Sequence, residues 1–165
     1  MVPFTAYQKS KPYAEKIGHV PQPDVMVLIS ADQKQITAVA MVMKVLVYFG
    51  GLIDRAVNRV YLPPDMAGMR AMIEAAVRLD PYNMDTYYFA QAIMVWDMKE
   101  VRAANELLDH GMKYRSWDWY LPSFAGFNAA YFLHDFPAAA RYYQRMAELT
   151  GTDLPMRLAG RYLYE

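Results

Sequence analysis

Three histidines are the first side chains in this 165-residue sequence that could bind a metal or move a proton: His19, His110 and His134. No two of them stand in an H-x-x-x-H or H-E-x-x-H spacing, so no helical face would offer two imidazoles to one ion, and no metal site is expected. His110 falls near the end of a predicted helix, where an imidazolium would sit favourably against the dipole. Thirteen methionines suggest thioether copper ligands at Met41 and Met43, or at Met66, Met69 and Met72. The last three recur at helical packing intervals, and methionine fills irregular helix interfaces well, so they read as core. Ser30, Ser116 and Ser123 lack a G-x-S-x-G setting, Gly50-Gly51 is not followed by the lysine of a phosphate loop, and the aspartates fall where caps and turns are expected. An enzyme built on Asp85, Asp118, His134 and Asp135 would need all four in one cleft, and no linear motif places them there. The expectation is a chain without catalytic residues or cofactor.

Composition narrows the partners. Seventeen Lys and Arg balance seventeen Asp and Glu, leaving no net field to gather phosphate backbones, so nucleic acid is not an expected partner. A hydrophobic content of 55% excludes disorder and, at this length, implies one packed core. Without cysteine there are no disulfides, thiol nucleophiles or thiolate zinc sites. Residues 1–22 contain no apolar run or cleavage site of a secretory signal. Pro12, Pro21 and Pro23 keep that stretch from being one continuous helix, so it is expected to wrap irregularly across a single all-helical domain at 23–165.

Within that domain, Ser30-Ala31-Asp32-Gln33 reads as a capping box that opens a long apolar helix reaching about Phe49. The run Ile36 to Ile53 is just long enough to span a bilayer. Lys44 near its middle and Gly50-Gly51 at its end argue instead for a helix covered by protein. A break follows from Asn58 to Pro64. Helical spacing then joins Met69, Met72, Ile73, Ala76 and Leu79, and stops at Asp80-Pro81-Tyr82-Asn83, where Asn83 can cap the next helix. That helix carries Tyr87, Ala90, Gln91, Met94 and Val95. Another holds Val101, Ala104, Leu107 and Leu108 and is expected to stop at Gly111. Ser116 or Asp118 can cap a helix to about Leu133, Pro137 to Leu149 forms one closed by Gly151, and Asp153 can cap a last one over 154–165. No segment has the two-residue period of a strand, so the class is all-α.

The sequence also repeats itself at about 34 residues. Ala90-Gln91 returns as Ala125-Gly126 and Ala159-Gly160, while Met69 with Ile73 returns as Ala103 with Leu107 and Ala138 with Tyr142. A small residue followed one turn later by a bulky one suits two helices that must approach closely and fill the adjoining hole. With Leu79-Asp80-Pro81, Asn83 and the aromatic Tyr87, the stretch 65–165 resembles the tetratricopeptide repeat. It departs from that pattern at Met69, at Gln91, and at Arg115 and Thr150, which stand where prolines might be. The runs LDPYNMDTYYFAQA and Trp117 to Phe136 are also similar to bacterial repeat proteins associated with the cell envelope. That similarity leans towards an envelope or periplasmic location and leaves the cytoplasm open.

The resemblance implies an antiparallel helix-pair solenoid with a right-handed superhelical course, preceded here by an extra long helix. It implies an adaptor whose first helices line a concave groove for a protein or peptide. The groove positions would be Asp85, Tyr88, Ala92 and Val95 in one repeat and Tyr120, Ser123 and Phe127 in the next. The other aromatics, Trp96, Trp119 and Tyr131 among them, read mostly as core. The last helix, with Leu154, Met156, Leu158, Tyr162, Leu163 and Tyr164, needs a cover, which a continuation of the chain or a second copy would provide. The alternative function is a structural subunit docked to a membrane or larger assembly through the apolar helix at 36–53.

Overall fold

A computed structural model describes residues 16–19, 22–58 and 63–163. Of these, 82% are helical and none lies in a strand, so the class is all-α. Pro12, Pro21, the first fifteen residues, part of the break after Asn58, and Tyr164 fall outside the described residues.

Helix α1 (Pro23–Ile29) is joined to α2 (Lys34–Val57) by a tight 3-10 turn at Ala31–Gln33. The capping box expected at Ser30 does not form. Ser30 is itself in the right-handed helical region and its hydroxyl makes no cap bond, whereas an N-cap needs an extended residue that aims its oxygen at the amides ahead. The expected end of α2 near Phe49 is also corrected, since the helix runs unbroken through Gly50-Gly51. A mid-helix glycine costs about 1 kcal/mol relative to alanine and does not by itself stop a ladder. One face of α2 buries Ala38, Met41, Val42 and Val45.

Asp65 then caps α3 (Met66–Leu79), accepting from the Gly68 amide at 3.1 Å, and its own amide donates to the Tyr48 hydroxyl at 2.8 Å. Residues 16–19 lie against this corner. Ile17 is buried in the same cluster as Val45, Met69 and Ile73, and Lys16 stands 3.7 Å from Asp65.

From here the turns are those the sequence implies. Asn83 caps α4 (Met84–Ala90) through the Asp85 amide, and the buried Tyr87 hydroxyl donates to the Pro81 carbonyl at 2.8 Å, fastening the turn to the helix it opens. α4 continues as a widened π-type stretch, Gln91–Asp97, before α5 (Val101–Tyr114). Asp118 accepts from the Tyr120 amide at the start of α6 (Tyr120–Phe127), which likewise widens over Asn128–Leu133. His134 takes a left-handed conformation, Asp135 caps α7 (Phe136–Thr150), Gly151 at φ 65° ends it, and α8 (Asp153–Leu163) follows. Each helix from α2 onward packs against the next, and α3 also touches α5.

Gly111 does not stop α5. It lies inside the helix because a side chain there would meet the Tyr87 ring at 2.8 Å and Leu121 at 3.1 Å. Arg115, at a position where the repeat pattern has proline, closes the next turn with its own bonds: it pairs with the buried Asp118 at 2.7 Å and donates to the Tyr82 carbonyl.

The hydroxyl of Tyr142 on α7 donates to both carboxylate oxygens of Asp109 on α5, at 3.0 and 3.1 Å. Burial outweighs that hydrogen bond and raises the Asp109 pKa above the usual carboxylate range. The folded carboxyl therefore keeps its proton to higher pH than the unfolded one, and the native state gains stability as pH falls through the window between the two values. Asp109→Asn retains an oxygen for Tyr142 without a charge to bury. Urea titrations should show this variant more stable than the parent near neutrality, with the difference vanishing in acid.

Candidate functional site

The helices α4 and α6 are fixed to each other by buried amides. Gln91, the first residue of one widened stretch, and Asn128, the first of the other, exchange hydrogen bonds of 2.9 and 2.7 Å. Asn128 also donates to Asn105 of α5 at 2.8 Å, and Asn105 donates to the Ala125 carbonyl at 3.2 Å. All three side chains are buried, so the triad fixes the relative register of α4, α5 and α6. Ala90, Ala125 and Ala159 are buried too.

On the outward side of this lock, aromatic rings form two connected groups. Trp119 stacks on Tyr120 at 4.0 Å, Tyr120 neighbours Phe124, and Phe124 neighbours Tyr88 of α4 at 6.3 Å. Trp96 meets Phe132 at 5.0 Å and Phe127 at 6.5 Å, and Phe127 stacks on Tyr131 at 5.3 Å. Tyr88, Trp96, Tyr120 and Tyr131 are each about half exposed or more, while Trp119 and Phe127 are exposed less.

Of the predicted groove residues, Tyr88, Tyr120 and Phe127 belong to this face. Asp85 is exposed at the start of α4, Ala92 is half-buried, and Ser123 is half-buried with its hydroxyl donating to the Tyr120 carbonyl at 2.7 Å. Val95 is corrected: it is fully buried in the main core and touches no solvent. The outward position in that turn belongs to Trp96. Trp96, Trp119 and Tyr131, read from sequence as core, are surface residues. Trp96 stands eight positions after Tyr88, a spacing that could have flagged it.

Polar clusters elsewhere are engaged in holding the fold. A cleft of about 260 Å³ between α3 and α5 is lined by Arg70, Glu74, Arg78, Glu106 and His110, and Arg70 is paired at 2.7 Å with both Glu74 and Glu100. Burial, with Lys113 and Arg78 nearby, lowers the His110 pKa. His110 is therefore uncharged near neutrality, contrary to the expected cation at a helix end. Asp118 is held by Arg115 and Asp135 caps α7, so two members of the hypothetical catalytic group serve the backbone. Among the described residues no group of three His, Cys, Asp or Glu could hold a metal ion. On α8, Tyr162 is covered by stacking on Phe136 and Tyr143, whereas Leu154, Met156 and Leu163 are exposed.

Comparison with family models, curated proteins and solved structures finds no match to this chain.

Proposed function

We propose that this protein is a tetratricopeptide-like adaptor, its helix pairs stacked as a solenoid, that holds a protein segment against the aromatic face of α4 and α6 without turnover. The observation that carries the reading is the set of exposed rings, Tyr88, Trp96, Tyr120, Phe127 and Tyr131, set on two helices that a buried amide lock keeps in register. Large aromatics on a rigid base bury much area at little entropic cost, and such side chains dominate protein-binding hot spots. The order of helix contacts and the burial of Ala90, Ala125 and Ala159 support the repeat reading behind it.

The test is affinity capture from source-cell extract with the parent protein and with Tyr88→Ala/Phe127→Ala, followed by titration of the captured protein against both. Loss of two aromatic contacts should weaken binding at least tenfold while circular dichroism shows both forms folded. Equal recovery by two folded proteins would remove the face from consideration. Tyr82→Ala, an exposed aromatic outside the two ring groups, should bind as the parent does.

A further inference from the structure

Helix α2 has a second apolar face that nothing in the fold covers. Ile36, Val39, Met43, Val47, Ile53 and Val57 are 46–77% exposed, and the stretch Ala31–Val57, with a mean hydropathy of 2.0, is only 28% buried. The pattern is more specific than apolar content. Ile36, Val39, Met43, Leu46, Gly50, Ile53 and Val57 alternate three- and four-residue steps over three heptads, which is the seam by which one helix receives another. Gly50 lies on that seam and a side chain there would meet nothing within 4 Å, so its smallness serves no contact inside the chain. A facing helix could approach closely at that point.

We propose that this face of α2 is the contact surface for a second copy of the chain. The exposed arc also carries Lys44 and Asp54, which disfavour lipid as the occupant, because a hydrocarbon-facing arc would be apolar throughout. The same two charges favour self-association. They lie on either side of the middle of the seam, so an antiparallel copy brings Lys44 of each chain towards Asp54 of the other, as an isologous two-fold interface requires. At roughly 100 Å² for each partly exposed aliphatic side chain, two such stripes together reach the roughly 1,200 Å² at which specific interfaces begin.

Sedimentation equilibrium in the micromolar range should give a dimer for the parent and a monomer for Val47→Glu, with unchanged circular dichroism because Val47 makes no core contact. Lys44→Glu and Asp54→Lys should each weaken the dimer several-fold, and the double exchange should restore it. A parent that stays monomeric would overturn the proposal, as would a dimer that survives Val47→Glu or charge variants whose double exchange restores nothing. So would flotation of the parent with phosphatidylcholine vesicles that Val47→Glu abolishes, which would make lipid the occupant. Failure here leaves the aromatic face of α4 and α6 untouched, since that face is tested by Tyr88→Ala/Phe127→Ala.

Discussion

Asn128→Leu should lower unfolding stability by about 3–5 kcal/mol, because it strands two buried amides that each cost about 1–3 kcal/mol when unpaired. Asn128 is fully buried and is the central member of the triad, bonded to Gln91 and to Asn105. Leucine has nearly its volume and fits the space, so the loss would report polar groups left without partners rather than a cavity. For a chain of this size the melting temperature should fall by about 10 °C. The companion variant Gln91→Leu/Asn105→Leu/Asn128→Leu removes the orphans along with the network and should regain most of the loss. A single variant as stable as the parent in urea titration would mean that the amides find water, and that the lock between α4 and α6 contributes little.

Gly111→Val should cost about 3 kcal/mol by overpacking. Its Cβ would sit 2.8 Å from the Tyr87 ring and 3.1 Å from Leu121, and both neighbours are completely buried. Tyr87 has no room to withdraw, since its hydroxyl is tied to Pro81. Gly111→Ala sets the same clash against a helix-propensity gain of about 1 kcal/mol, so its net loss should be smaller. At Gly160 the added methyl meets nothing within 4 Å, and Gly160→Ala should instead stabilise by up to about 1 kcal/mol. Calorimetry on the three variants gives the order. If Gly111→Ala proved as favourable as Gly160→Ala, the close approach of α4 and α5 at this point would be wrong.

Much of the helical layout could be read from spacing and caps because those signals are local. Met69, Met72, Ile73, Ala76 and Leu79 are all buried as their period implies, and Asn83, Asp118, Asp135 and Gly151 take the end positions their chemistry suits. What escaped depends on groups distant in sequence. Glycine both ends helices and admits a neighbour's ring, and only the Tyr87 contact decides between these at Gly111. Ser30 has the right side chain for a cap but the wrong backbone, because α1 delivers it already helical. At the candidate site the error is one of phase. Counting 3.6 residues per turn from Tyr88 and Ala92 lands on Val95, but the chain widens at Gln91 and the outward position passes to Trp96. No residue type announces a widened turn, so the slip was not legible.

Such a widened turn is a helix accommodating one residue more than its ladder needs. Deleting a single residue from 91–97 or 128–133 would let the ordinary bonding close again, and everything beyond would swing by about 100°. Trp96 and Tyr131 lie within those spans, so the directions in which they face solvent depend on that surplus. An insertion that would scramble most helices is here the hinge on which two indole and phenol faces are aimed.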